Sequence, residues 1–230
     1  MSTPKYTLYS SELCPYAQRA RVAALETGFK ATEIEIDLTT PREPWYLEIN
    51  PYGQVPALKL EGEDFVFLES KFVAKYIAEL SPKSGLIVDN ARDRAHSEFL
   101  IHQFDNRVIP AFYKLAYTKD TTKRAEHVAE FDKQLTDFTR YLEKAHASTG
   151  AGPFIHGARF TYADLVLGTL LTRLYLAEAF QQGYKLPSRE SHPHLARYFE
   201  WQDAVLARPS IIATTPDREA DTKLASRYVR

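Results

Sequence analysis

Thiols are nearly absent: one cysteine, Cys14, stands in 230 residues. An internal disulfide is thereby excluded, which fits a reducing compartment. Excess charge is lacking too, with 29 Lys and Arg against 30 Asp and Glu. No basic stripe alternates with aromatic residues, so a groove that tracks nucleic-acid phosphates is not expected. Apolar runs are short; one of the longest, Leu165 to Leu171, falls well below the ~20 residues that span a bilayer. Met1-Ser2-Thr3-Pro4-Lys5 has no apolar segment of the kind that opens a secretory leader. Repeats at solenoid periods are missing. His192-Pro193-His194 is a pair without further ligands at metal-binding spacing, so no metal is expected. What remains is a cytoplasmic globular chain without nucleic-acid or membrane partners. Its hydrophobic content of 44% suffices for one large core or two modest ones.

The two ends of the chain follow different patterns. Tyr6-Thr7-Leu8-Tyr9 is a short β-prone run, and Cys14-Pro15 then opens a helix, since proline suits a first turn whose N–H groups are unpaired anyway. Gly28 is placed to end that helix. Strict alternation in Glu33–Leu38 puts Ile34, Ile36 and Leu38 on one face of a strand. The segment from Pro41 to Pro51 reads as a short irregular helix with a loop. Val55–Leu60 and Phe65–Leu68, separated by Glu61-Gly62-Glu63-Asp64, read as a hairpin. Glu69-Ser70 opens a helix with Phe72, Val73, Tyr76, Ile77 and Leu80 at helical spacing.

The order β-α-β-α-β-β-α is that of a thioredoxin-like α/β domain over residues 1–81. Residues 82–90 form a linker, and 91–230 an all-helical domain. Its expected helices are Ala91–Tyr117, Thr122–His146, Thr161–Phe180, Pro193–Leu206 and a short piece at Glu219–Arg227. Thr161-Tyr162-Ala163-Asp164 has the form of a capping box. The last fifteen residues are charged, with a choice between hanging loose and folding over the surface.

Cys14 precedes Pro15 at a helix start, where unpaired N–H groups and the positive dipole end favour a thiolate. Arg19 and Arg21 add positive charge nearby. A lone cysteine also serves as a small core residue; the strand–turn–helix junction is what favours reactivity here. Ala17 stands where a C-x-x-C motif has its second sulfur, so exchange is monothiol and an external thiol must resolve any mixed disulfide.

Four segments together resemble cytosolic glutathione transferases, nearer the cysteine-type omega and lambda classes than the tyrosine or serine types. They are Cys14-Pro15-Tyr16-Ala17-Gln18-Arg19, Asn50-Pro51-Tyr52-Gly53-Gln54-Val55-Pro56, Leu68-Glu69-Ser70 and Phe160-Thr161-Tyr162-Ala163-Asp164. The resemblance implies a cis Val55-Pro56 peptide that turns the Val55 backbone toward glutathione. It implies Glu69 and Ser70 as the acid–hydroxyl pair for the glutamyl amino and carboxylate groups. Tyr16 and Pro56 join this glutathione site, and Arg42 is expected to face the glycyl carboxylate. A second substrate would lie between the domains near Phe112, Tyr113 and Arg173, with Phe104 and Tyr117 as further aromatic candidates.

The function so implied is glutathione-dependent thiol transfer in a detoxification enzyme. Cys14 would be the nucleophile on mixed disulfides, dehydroascorbate or glutathionyl-ketones, with glutathione as co-substrate and resolving thiol and a homodimer as the assembly. Alternatives stay open: conjugation of electrophiles, with Tyr9, Ser10 or Ser11 orienting the glutathione sulfur; a hydrophobic-ligand carrier of the same fold; or an interaction module.

Overall fold

The strand β1 (Tyr6–Ser10) explains the layering of the N-terminal half. Its side chains alternate between faces, as strand geometry requires. Tyr6 and Leu8 pack with Ala20, Ala23, Val73, Ala74 and Ile77 on one side. Tyr9 packs with Ile36, Tyr46, Val55 and Ala57 on the other. The first side belongs to helices α1 (Pro15–Thr27) and α3 (Ser70–Glu79), the second to α2 (Pro44–Ile49). The computed structural model describes residues 5–230, so Met1–Pro4, read above as free of a leader segment, lie outside the described residues.

The sheet is mixed and four-stranded, in the order β2 (Thr32–Glu35), β1, β3 (Ala57–Leu60), β4 (Val66–Phe67). β1 runs parallel to β2 with Tyr9 opposite Ile34. It runs antiparallel to β3 with Leu8 opposite Leu58, and β3 pairs with β4. The second strand is shorter than its alternation predicts. Ile36 leaves it but still donates to the Ser10 carbonyl at 2.8 Å. α1 begins with Cys14 as N-cap and Pro15 in its first turn, and Gly28 closes it at φ 70°. In α3 the buried face is Val73, Ala74, Ile77 and Ala78, while Phe72 and Leu80 stay exposed.

The expected linker is anchored. Pro82–Ser84 form a 3-10 turn, Leu86 and Val88 are buried, and the Tyr162 amide donates to the Leu86 carbonyl at 2.8 Å. Beyond it the fold is helical. The expected helix Ala91–Tyr117 is α4 (Ala91–Gln103) and α5 (Ile109–Tyr117) joined by a π-turn at Phe104–Val108. Pro110 has no N–H for the helical ladder, and a local change of register removes the conflict. α6 (Arg124–Thr149) follows, and then α7 (Tyr162–Leu171), all of whose residues are buried.

The predicted helix Thr161–Phe180 is broken. Between α7 and α8 (Tyr175–Phe180) the backbone tightens to i→i−3 bonds, with the Arg173 and Leu174 amides on the Leu170 and Leu171 carbonyls. Thr172 bonds back to the Thr169 carbonyl at 2.8 Å, competing with the helical ladder. α9 (Ala196–Leu206) follows a 3-10 turn at Pro193–Leu195. The short α10 (Pro209–Thr214), not anticipated from sequence, meets α1 through Gln18 Nε2–Thr214 Oγ1 at 3.0 Å.

The charged C-terminal segment folds over the surface. α11 (Arg218–Ala225) is followed by a 3-10 turn, and the Arg230 amide donates to the Tyr117 carbonyl at 2.8 Å. Among the described residues no helix is long and apolar enough to cross a membrane.

Candidate active site

Two cavities meet at the start of α1. One, of about 410 Å³, is lined by Cys14, Tyr16, Arg42, Val55, Pro56, Glu69 and Ser70, so every side chain expected to bind glutathione borders a single space. Leu38, Asn50, Tyr52, Gly53, Gln54 and Leu68 complete it. The other, of about 290 Å³, is more apolar and lies between the two halves of the chain. Cys14, Tyr16 and Leu38 line both.

Cys14 sits where β1 ends and α1 begins, in extended backbone as the N-cap. Its sulfur accepts from the Ala17 amide at 3.5 Å and donates toward the Val55 carbonyl at 3.9 Å. The helix start thus engages the thiol as its position predicts, but the net effect differs from the expectation. Burial is the largest influence and pushes the thiol above its ordinary value; the amides of Ala17 and Tyr16, then Arg173 and Arg19, pull it back only in part. The enclosing walls are the reason, since Leu13, Leu38 and Val55 border the same cavities.

The wall that faces Cys14 carries the Val55-Pro56 peptide, which is cis. The loop before it is fixed from within: Tyr46 Oη and Asn50 Nδ2 donate to the Gln54 carbonyl at 2.6 and 2.7 Å. Arg42 belongs to the same scaffold. Its Nε donates to the Gly53 carbonyl at 2.9 Å, and Nη1 to the carbonyls of Asp37 at 2.7 Å and Thr40 at 2.8 Å. Nη2 makes no hydrogen bond among the described residues. Gly53 has φ 62°, and a Cβ there would meet Arg42 Cγ at 2.9 Å, so glycine serves both the turn and the arginine.

Glu69 is exposed, occupies the N-cap position of α3 and is, among the described residues, the non-glycine residue with positive φ, 66°. Such backbone costs of order 1–3 kcal/mol and concentrates at functional sites. Ser70 follows as the first residue of α3, where unpaired amides and the helix dipole favour an anion. Behind it lies Arg19, 1% exposed. Its guanidinium donates to Ser70 Oγ at 3.2 Å, Asp105 Oδ1 at 2.9 Å and the Val166 carbonyl at 2.9 Å. Sequence reasoning assigned Arg19 only a general positive charge; its role as a buried link was not visible. Asp105 lies in the π-turn, and Pro110 was the local signal that the helix there would be irregular. Arg21 points away from the thiol, to Glu12 and Glu33.

Tyr113 and Arg173 line the second cavity, together with Tyr117, Leu176, Asp221, Leu224 and Tyr228. Phe112 does not. It is 1% exposed and packs against Phe131, because it lies on the face of α5 turned to α6. Tyr113 and Tyr117, four residues apart, share the cavity face. Phe104 is likewise core, against Phe138 and Trp201. Tyr16 and Tyr113 join the halves through hydroxyls 3.3 Å apart. Tyr9, Ser10 and Ser11 border neither cavity; the Ser11 hydroxyl donates to Glu35 at 2.8 Å.

Comparison with known proteins agrees with this architecture. The glutathione S-transferase N-terminal domain family matches residues 8–85 and the C-terminal domain family residues 106–213. A probable glutathione transferase omega-2 of Caenorhabditis briggsae is 25% identical over 98% of this chain and 86% of its own. Glutathione S-transferase DHAR2 of Arabidopsis thaliana is 26% identical over 90% of this chain and 85% of its own. The structure of glutathione transferase Omega 3C from Trametes versicolor superposes with a TM-score of 0.80 at 26% identity, covering 100% of this chain and 92% of that one. The chain belongs to the glutathione transferase superfamily, with omega-class proteins among its relatives.

Proposed function

We propose that the protein is a glutathione-dependent thiol transferase in which Cys14 is the nucleophile and a second glutathione the resolving thiol. The observation that carries this reading is the place of Cys14: its sulfur is at the N-cap of α1, bonded to the Ala17 amide, where the polar and apolar cavities meet. Glutathione would lie in the polar cavity with its backbone along Val55, its glutamyl end at Glu69 and Ser70, and its glycyl carboxylate toward Arg42. Its sulfur then comes beside Cys14. The thiolate attacks the glutathione sulfur of a mixed disulfide or glutathionyl adduct; an S–S bond forms to Cys14 while the old S–S or C–S bond breaks, and the partner leaves into the apolar cavity as a thiolate, or as a carbanion that water protonates. A free glutathione then releases Cys14 as glutathione disulfide forms. A reducing compartment that keeps glutathione reduced is the setting this cycle requires.

Cys14→Ser tests it. Loss of mixed-disulfide reduction to background, with glutathione binding kept, is the expected result; retained thiol transfer would sink the assignment. The burial that raises the Cys14 thiol favours a second reading, in which bound glutathione itself is the nucleophile on an electrophile. On that reading Cys14→Ser keeps or gains conjugation and wild type shows no thiol transfer.

The same reading takes a homodimer as the assembly. Phe65, Phe72 and Phe99 are exposed, on the hairpin, α3 and α4, the two helices being joined by Lys75–Glu98 at 2.8 Å. A Phe72→Glu variant that sediments as a monomer, beside a dimeric wild type, is the outcome this face predicts.

A further inference from the structure

Arg227 is an exposed residue of the 3-10 turn that follows α11. Its Nη1 donates to the Thr39 carbonyl at 2.7 Å, across 188 positions of sequence. The turn that carries it is held on both sides. α11 precedes it; after it the Arg230 amide donates to the Tyr117 carbonyl at 2.8 Å, and the Lys119 amide to an Arg230 oxygen at 2.6 Å. Tyr228 packs on Tyr117, ring centroids 6.0 Å apart. The arginine therefore reaches out from a fixed piece of backbone. Thr39 lies in the loop between β2 and α2, which is knotted from within. Asp37 Oδ1 accepts from the Thr39 amide at 2.7 Å, and Oδ2 from Thr40 Oγ1 at 3.2 Å. The carbonyls of Asp37 and Thr40 go to Arg42 Nη1. Carbonyls 37, 39 and 40 are thus all taken by guanidinium groups, two by Arg42 and one by an arginine of the helical half.

We propose that Arg227 is a positioning residue for glutathione: it clasps the loop of residues 37–42 from the helical half and so sets where Arg42 presents its guanidinium. The inference rests on the reading that Arg42 meets the glycyl carboxylate. Arg42 lines the polar cavity. Its Nε and Nη1 rest on the carbonyls of Gly53, Asp37 and Thr40, so the place of its remaining nitrogen follows from where those carbonyls stand. A peptide unit turns as a rigid plane about the torsions on either side of it. Turning the Thr39–Thr40 unit therefore swings the Thr40 carbonyl, on which Arg42 leans. Without a partner for the Thr39 carbonyl this unit samples several orientations. A ligand that needs one of them binds more weakly by the fraction of time spent in the others. Arg227 touches no ligand atom in this scheme; it acts through Thr39 and Arg42. The linkage is reciprocal, so glutathione that fixes Arg42 holds the C-terminal turn by the same factor.

The test is calorimetric titration of glutathione into wild type, Arg227→Met, Arg227→Lys, Arg42→Gln and the double variant of Arg227→Met with Arg42→Gln. Methionine keeps the apolar stem of Arg227 and removes its donors. Losing one such hydrogen bond is expected to weaken glutathione about three- to tenfold. Arg227→Lys still offers a donor to one carbonyl and should recover part of that. In the Arg42→Gln background, Arg227→Met is expected to make no further difference, because the clasp works through Arg42. A mere loss of positive charge would act alike in both backgrounds. Equal losses in the two backgrounds, or an unchanged affinity in Arg227→Met, overturn the proposal. Arg42→Gln that binds glutathione as tightly as wild type removes instead the reading on which the inference rests.

Hydrogen exchange in wild type gives a second readout that needs no variant. The Arg230 and Lys119 amides are closed by the bonds that seat the C-terminal turn. Saturating glutathione is expected to slow exchange at both, by up to the factor that Arg227→Met costs in affinity. Exchange at these two amides that glutathione leaves unchanged overturns the proposal. Wild type that binds no glutathione at all removes the assignment of the polar cavity itself.

Discussion

Arg19 Nη1 donates to Ser70 Oγ at 3.2 Å, and the same guanidinium holds Asp105 in the helical half. The bond occupies a lone pair of the serine and leaves its proton available for an acceptor in the polar cavity. Arg19 therefore couples the orientation of a proposed glutathione-binding hydroxyl to the packing of the two halves. Removing one partner of a buried ion pair costs about 3–5 kcal/mol. Arg19→Gln should lower the urea midpoint accordingly and raise the KM for glutathione. Arg19→Lys should restore charge without the three-armed fork and recover stability only in part. An unchanged midpoint and KM in Arg19→Gln would contradict the link.

The Cys14 thiol gives a pH prediction whose sign is fixed by its environment. Burial raises it, so at a given pH less thiolate is present than for a free cysteine, by tenfold for each unit. The alkylation rate of the ligand-free protein should be low at neutral pH and still be climbing at pH 9.0, the ordinary value. Arg173 and Arg19 pull the other way, so Arg173→Gln should move the profile further to alkaline pH. Iodoacetamide kinetics against pH measure both. A plateau below pH 8 in the wild type would show that the helix start outweighs burial.

Legibility from sequence followed the range of the interactions involved. The alternation of Ile34, Ile36 and Leu38 and the helical spacing of Val73 and Ile77 reflect backbone periods; the helix is present, and the three apolar residues share one cluster although the strand itself ends at Glu35. Val55, Glu69 and Ser70 were named through the resemblance of short segments to cytosolic glutathione transferases, and they border one cavity. Phe112 was misplaced because adjacent positions on a helix differ by about 100° in direction, and the neighbouring helix decides which one is buried. Arg19 is joined to Asp105 and Val166, far along the chain, so no local pattern announces it. The rise of the Cys14 thiol has the same origin. The helix start is local and was readable, whereas Leu38, Val55 and the cavity walls come from separate elements.

Asp164 accepts four hydrogen bonds, two at each oxygen. Oδ2 receives the Thr161 amide and hydroxyl at 2.8 Å each; Oδ1 receives the Ile155 amide at 3.0 Å and Trp201 Nε1 at 2.9 Å. An amide of the same shape accepts on one side only and turns N–H groups against the donors on the other. Each buried donor left without an acceptor costs about 1–3 kcal/mol. Asp164→Asn should therefore lose about 2–5 kcal/mol of unfolding free energy. Trp201 fluorescence should shift as its partner changes. A loss below about 1 kcal/mol would show that the network repacks freely.

Gly168 sets how closely α7 and α9 approach. Its Cα faces Val205, and an added Cβ would lie 2.3 Å from Val205 Cγ1 and 3.6 Å from Ile211 Cδ1. A valine methyl is one bond from Cβ and cannot swing clear as the end of a long side chain can, so the helices must part. Overpacking of this kind costs about 1–3 kcal/mol, against a gain of up to about 1 kcal/mol from replacing glycine inside a helix. Gly168→Ala should therefore destabilise. Val205→Ala alone should destabilise by about 2 kcal/mol through the cavity it opens. Together the new methyl occupies space that the valine vacates, so the double variant should be more stable than the sum of the two losses, by about 0.5–3 kcal/mol. Chemical denaturation of the four proteins measures this coupling. Strict additivity would mean that the contact between Gly168 and Val205 does not set the spacing of the helices.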